Sequence, residues 1–150
     1  MIKMILTHSD TCRHAIKFFD RAGVDFQPYD IGAKAWSKYT EAQRQYLVDL
    51  VVECLQYVDG GLESIFHRHC HGTFMQAHED LELKSLIRLA LDQGVIQTPI
   101  IYDPDRQLVS VGGVDENLSV FLPKRQLHAR RQLQLHQLLD HFYHNANFSN

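Results

Sequence analysis

Residues 3–7 read as a β-strand that runs straight into a polar turn, Thr7-His8-Ser9-Asp10-Thr11, and from there into an amphipathic helix. Ala15, Ile16, Phe18, Phe19 and Ala22 fall on one face at helical spacing. Gly23 suits the position just past a helix, where left-handed geometry costs glycine little. Residues 24–27 form a second short strand, ended by Pro28. A strand, a helix and a returning strand joined by such short connections describe a parallel β-α-β unit. That unit constrains the rest: its strands must enter a sheet, and its helix must cover one face.

The middle is mostly helical. Thr40-Glu41-Ala42-Gln43 has the capping-box pattern, in which threonine accepts from the third amide and glutamine reaches back. Tyr46, Leu47, Leu50, Val51, Cys54 and Leu55 continue the period until Gly60-Gly61 breaks it. A shorter helix is expected from Leu62 to about His69. Asp80 is a candidate cap for another, carrying Leu83, Leu86, Ile87, Ala90 and Leu91 and closed by Gly94. Residues 98–102 read as a strand with Pro99 near its start. Asp103-Pro104-Asp105-Arg106 makes a turn, and residues 108–111 return as an antiparallel partner. Gly112-Gly113 and Asp115 lead into a short helix ending at Phe121-Leu122-Pro123. A final amphipathic helix carries Leu127, Leu135, Leu138, Leu139 and Phe142, and residues 145–150 are a loose polar tail.

The order is thioredoxin-like: an α/β domain with a mixed four-stranded sheet, β-α-β, a helical insertion at about residues 35–92, α-β-β-α, and a C-terminal helix. A parallel pair followed later by a tight hairpin makes the sheet mixed. One domain spanning residues 1–144 is expected, because 150 residues suit a single core.

Three cysteines, Cys12, Cys54 and Cys70, at irregular spacing do not make a secreted disulfide framework. Free thiols fit a reducing, cytoplasmic compartment. No apolar run is long enough to span a membrane, and the start reads as a strand rather than a targeting segment. The net charge of −3 does not announce a nucleic-acid binder. Yet Lys124, Arg125, Arg130 and Arg131 stand together with no acidic residue between them, either as a solvated helix face or as a patch able to touch phosphate.

The turn Ser9-Asp10-Thr11-Cys12 concentrates the chemistry. A thiol at the amino end of a helix gains from the helix dipole and the free amides, which favour thiolate. A dithiol switch needs Cys-x-x-Cys, so that the second sulfur can attack a mixed disulfide on the first. Here the spacing is kept but the first position is Ser9, which cannot form a disulfide. Cys12 is left as either a reactive monothiol or a small buried apolar residue.

Thr7-His8-Ser9-Asp10-Thr11-Cys12-Arg13-His14-Ala15 resembles the Spx and arsenate reductase-like family, in which Spx has Thr-Ser-x-x-Cys-x-x-Cys-Arg-Lys-Ala. Thr98-Pro99-Ile100-Ile101-Tyr102-Asp103 is similar to its Arg-Pro-Ile-Ile-x-Asp strand. Val111-Gly112-Gly113 and Phe121-Leu122-Pro123-Lys124 resemble its Val-Gly-Tyr and Phe-Leu-Pro-Arg stretches. Asp59-Gly60-Gly61-Leu62-Glu63-Ser64-Ile65 resembles Asp-Gly-Thr-Asp-Asp-Ile-Ile, with Arg68 at the family's arginine. The resemblance covers roughly residues 1–140.

Spx proteins are transcriptional regulators that bind the C-terminal domain of the RNA polymerase α subunit and alter promoter choice, commonly under thiol stress. The resemblance therefore implies a polymerase-binding regulator with no enzymatic activity and no cofactor, whose dithiol switch is lost at Ser9. Gly60 matches a glycine of the polymerase-binding surface. Pro99 is implied to be the cis proline facing the active loop, and Arg68 an oxyanion-holding or regulatory arginine. Arg130 and Arg131 are candidate contacts to promoter DNA within that complex. The competing implication is an enzyme of the same fold, a monothiol oxidoreductase or arsenate reductase. It is disfavoured because Ser9 replaces the nucleophile and Thr98 the arginine before the proline. A neutral serine hydroxyl needs an activating base to do the work of a thiolate.

His67-Arg68-His69-Cys70-His71, with His78 beyond, has ligand-type side chains for zinc. The spacing argues against a ready-made site. His67 and His71 would share a helical face, whereas His69 and Cys70 would point elsewhere. No metal is expected.

Overall fold

The computed structural model describes residues 1–123. Lys124, Arg125, Arg130, Arg131, the final helix and the 145–150 tail lie outside the described residues. β1 (Ile2–Leu6) and β2 (Phe26–Asp30) flank α1 (Asp10–Ala22). Then follow α2 (Ala33–Lys38), α3 (Glu41–Cys54), a 3-10 turn (Gly61–Ile65), α4 (His71–Ala77) and α5 (Leu83–Gln93). β3 (Ile100–Asp103), β4 (Leu108–Val111) and α6 (Asp115–Ser119) complete the order. The four strands form one mixed sheet in the order β2-β1-β3-β4. β1 runs parallel to β2 and antiparallel to β3, and β3 is antiparallel to β4.

Strand alternation sorts the core into two layers. Ile2, Met4, Leu6 and Ile101 face α1 and α6, packing with Cys12, Phe19, Leu118 and Phe121. Ile5, Ile100 and Tyr102 face the helical insertion, packing with Val48, Val51, Cys54, Ile65 and Ile87. The sheet therefore has helices on both faces, and the start of α1 stands at the end of the central strand β1.

Gly23 closes α1 at φ 68°, with its own amide bonded to Asp20 and that of Val24 to Phe19. Val24 is thereby drawn into the helix cap, and β2 begins two residues later than the composition suggests. Pro28 does not end that strand. It sits inside β2, opposite Met4. β2 is an edge strand, with one row of backbone groups unpaired, so a proline there removes no needed donor. The capping box at Thr40 forms in full: Thr40 Oγ1 accepts from Gln43 N at 3.2 Å, and Gln43 Oε1 from Thr40 N at 2.9 Å.

The expected helix from 62 to 69 is replaced by the 3-10 turn, an extended Phe66 and a separate α4. Phe66 forms an antiparallel bridge with Ile96, through His67 N to Val95 O (3.0 Å) and Gln97 N to Ile65 O (2.7 Å). Those long-range bonds take the backbone groups a continuing helix would have used. The cap of α5 is Glu82 rather than Asp80. A start at Asp80 would add only Leu81 and Glu82 to the helix, and both are exposed.

The short α2 has no side-chain cap at its N-terminus, while at its C-terminal end Arg44 donates to Trp36 O and Ser37 O, and packing adds to that hold. Trp36 is buried, donates Nε1–H to Asp92 Oδ1 (2.8 Å), and has the guanidinium groups of Arg44 and Arg88 at 5.8 and 5.9 Å from its ring. Arg88 forks onto both oxygens of Glu41 at 2.8 Å, and Arg44 reaches the same carboxylate at 3.1 Å. These hydrogen bonds from Arg88 and then Arg44 hold Glu41 down at about 2, from 4.5. A depressed carboxylate contributes stability above its unfolded value and loses it as pH falls through its folded one. Glu41→Gln is therefore expected to lower stability at about pH 6, by an amount that shrinks as pH falls below about 4.5 and is mostly gone by about pH 2, where the wild-type carboxyl is half protonated. Urea unfolding of both proteins across that window checks it.

Candidate functional site

The first strand-to-helix turn is built by its own hydroxyls. Ser9 is the N-cap of α1, with φ −69° and ψ 161°, and its Oγ accepts from Cys12 N at 3.3 Å. Capping of this kind is a common role for serine at a helix start. Thr11 Oγ1 lies 3.0 Å from Ser9 Oγ and donates to Thr98 O at 3.3 Å. Thr98 Oγ1 in turn is 3.0 Å from Thr7 Oγ1. The Thr98–Pro99 bond is cis, and both residues are buried. Four hydroxyl side chains thus tie the turn to the start of β3.

Gly113 closes the turn from the side of β4. A Cβ added there would come within 2.7 Å of Thr11 O and 3.4 Å of Thr11 Cβ, so no side chain fits while the turn keeps its place. His14 on α1 pairs with Asp115 on α6, a second link between the same regions.

Cys12 occupies the third helical position and has 0% of its surface exposed. Its sulfur accepts from Thr7 N at 3.3 Å and lies 3.8 Å from Thr7 Oγ1. It packs among Ala15, Phe19 and Leu118. The spacing that suggests a thiol site has placed the thiol beneath the turn. The exposed group is Ser9, and among the described residues it is hydrogen-bonded to no histidine or carboxylate that could take its proton.

The remaining candidates are dispersed. The bridge at Phe66 and Ile96 is antiparallel, so advancing from Phe66 to Arg68 runs the chain back towards Gly94, while Thr98 lies in the other direction. Arg68 is exposed in the turn before α4, with no hydrogen bond or ion pair among the described residues. Gly60 is exposed at φ 86° and begins the 3-10 turn. His71 packs its ring on Phe66 at 5.3 Å and His78 on Phe74 at 4.8 Å, while His67 and His69 are exposed. No group of three or more histidine, cysteine or acidic side chains among the described residues is disposed around a common metal position.

The sequence names Thr7 and Thr11 only as part of the polar turn and Thr98 only as the replacement of an arginine, so their mutual contacts are what it does not show. Each is a common polar residue, and only the contact between turn and strand gives it a partner. His8 was equally silent. It pairs with Asp30 at 2.9 Å, on the rim of a cleft that Lys34, Lys38 and Tyr39 also line.

With this arrangement in view, solved structures can be compared. A Staphylococcus aureus protein solved by NMR superposes with TM-score 0.57 at 18% identity, covering 82% of this chain and 100% of its own. The fold is that of the ArsC-related proteins. A putative ArsC family related protein from Bacteroides fragilis matches with TM-score 0.54 at 13% identity, over 77% of this chain and 92% of that one. A possible arsenate reductase from Streptococcus mutans matches with TM-score 0.50 at 17% identity, over 75% and 90%. No protein-family model matches the chain, and no curated protein matches it in sequence. At these identities the likeness is one of fold: a thioredoxin-like α/β domain with its four-stranded mixed sheet. No helix among the described residues is long and apolar enough to cross a membrane.

Proposed function

We propose that this chain is a binding module on an ArsC-like scaffold: a cytoplasmic, Spx-like regulator that docks on the C-terminal domain of the RNA polymerase α subunit. The observation that carries the reading is the state of the turn. Ser9 stands where a nucleophilic thiol would act and is engaged as a helix cap, while Cys12 has no exposed surface. A thiolate attacks only if its substrate can reach it. A fold stripped of its reactive group keeps its surfaces, and Gly60 lies on an exposed loop of this one. Glycine there lets a partner approach the backbone closely. Within such a complex Arg130 and Arg131 are the candidate contacts to promoter DNA.

The test is a pull-down of the polymerase α C-terminal domain by the full chain. Wild type is expected to retain it under both reducing and oxidising conditions, because no dithiol is available in the turn. Gly60→Arg is expected to lose it. Because φ at Gly60 is positive, arginine also strains the loop, so Gly60→Asn serves as the control. Asparagine tolerates left-handed geometry better than most residues, and Gly60→Asn is expected to keep most of the binding. Failure of wild type to bind, or full binding by Gly60→Arg, overturns the reading.

The enzyme alternative draws support from the Streptococcus mutans neighbour, itself called a possible arsenate reductase. Arsenate turnover by the purified chain, abolished by Cys12→Ala, would establish that alternative instead.

A further inference from the structure

Away from the turn, β2 and α3 enclose a cleft of about 320 Å³, walled by Pro28, Tyr29, Tyr39, Ala42, Tyr46 and Leu47. Its walls are apolar and aromatic, with a few polar groups converging, and its size is at the lower end of small-molecule clefts, roughly 300–1,000 Å³. The Tyr29 and Tyr46 rings meet at 5.7 Å, tilted by 39°.

Lys3 is not one of the walls, but it stands beside the cleft against the hydroxyl of Tyr46, and the polar cluster there is unusual for an exposed surface. Tyr46 Oη lies 3.1 Å from Tyr29 Oη and 3.2 Å from Lys3 Nζ, and the same ammonium stands 5.7 Å from the Tyr46 ring centre. Lys3 can only donate. Tyr29 then serves best as the second donor, and Tyr46 receives both bonds. Consistent with that, the hydrogen bonds from Tyr29 and Lys3 lower Tyr46, while burial and then the Tyr46 contact push Tyr29 up to about 12. Tyr46 keeps its own O–H unengaged by any described residue, and two donors on its oxygen make that O–H a stronger donor still. Lys3 forms no ion pair among the described residues. The nearby carboxylate of Glu53 is turned aside to accept from Tyr102 Oη at 2.9 Å. Aromatic walls, a strengthened donor and an unpaired ammonium have one chemical complement.

We propose that this cleft binds a small aromatic carboxylate, its ring against the tyrosine and leucine walls and its carboxylate taken by Tyr46 Oη and Lys3 Nζ. The site is separate from the Ser9 turn and stands whether or not the chain docks on polymerase.

The experiment is isothermal titration of the full chain with 2-naphthoate, and with 2-naphthylmethanol as the same ring without charge. Wild type is expected to bind one naphthoate saturably, and more tightly than the alcohol. Tyr46→Phe is expected to weaken naphthoate by about ten-fold or more, the scale of a lost hydrogen bond to a charged group. Lys3→Met is expected to erase the preference for acid over alcohol. Ala42→Trp fills the cleft from an exposed helix position and is expected to abolish both. Circular dichroism and urea unfolding establish that each variant is folded. No saturable binding by wild type, equal binding of acid and alcohol, or unchanged binding by folded Ala42→Trp overturns the proposal.

Discussion

Ellman's reagent is expected to titrate one thiol of the folded chain quickly and the other two only after denaturant is added. The three cysteines are free but differ sharply in access. Cys70 is half-buried, at the start of α4. Cys12 and Cys54 each have 0% of their surface exposed. Burial first, with the neighbouring Glu53 carboxylate adding to it, pushes the Cys54 thiol up to about 12, so little thiolate exists there at neutral pH. For both buried thiols the labelling rate is set by local opening of the fold, which reduces it by orders of magnitude. Mass spectrometry of the labelled peptides identifies the fast residue, expected to be Cys70. If Cys12 labels as fast as Cys70, the turn opens readily and a monothiol activity regains its footing. The same geometry bears on oxidation. Cys12 packs on the α1 face of the sheet and Cys54 on the opposite face. A disulfide needs Cα atoms within about 7 Å, so mild peroxide is not expected to join these two without unfolding.

Trp36→Ala is expected to destabilise the chain by about 3–5 kcal/mol, the usual range for removing a buried large aromatic. The position justifies the upper part of that range. Removing the ring leaves a cavity, strips Asp92 of its indole donor, and takes away the face shared by Arg44 and Arg88. It also loosens α2, which has no side-chain cap at its N-terminus to hold it. Asp92→Asn keeps an acceptor for the indole and is expected to cost only on the order of 1 kcal/mol. Equilibrium urea unfolding measures both. A loss below about 1 kcal/mol for Trp36→Ala would mean that the two arginines and Glu41 hold α2 without it.

How far these features were legible from the residues depends on the range of the interaction behind each. The start of α1 at Ser9, its end at Gly23, the capping box at Thr40 and the glycine stop at Gly94 are all local. Each rests on hydrogen bonds within a few residues, so the side chains that specify them stand next to one another in the chain. The helix period sorted much of the core for the same reason: Phe19, Val51 and Ile87 are buried where their spacing puts them, whereas Tyr46 and Leu83, on the same period, are exposed. The late start of β2 comes from the local cap at Gly23, but the larger misreadings are places where a distant partner overrode a local preference. Pro28 looks like a strand stop until β2 is known to be an edge. The stretch from 62 to 69 has helical composition, but Phe66 gains more by bridging to Ile96 than by continuing a helix. Trp36 gives no sign in sequence that Asp92, 56 residues away, will receive its indole N–H.

The candidate site divides in the same way. Spacing alone identified Ser9-Asp10-Thr11-Cys12 as the loop at the head of α1, and the serine alone removed the dithiol, because a hydroxyl cannot form a disulfide. Whether Cys12 was reactive or buried stayed open, since a cysteine at the third helical position faces outward or inward according to what packs over it. The close fit of α1 on β1 turns it inward, with Thr7 above the sulfur and Phe19 and Leu118 around it. Tyr46 and Lys3 lie 43 positions apart and meet only because α3 packs across the sheet above β1 and β2. Local chemistry in the sequence determined the capping box at Thr40, the glycine stops, and that the turn cannot close a disulfide on itself. Tertiary packing alone decided which side chains remain accessible, because burial is a property of what folds back over a residue and not of its neighbours in the chain.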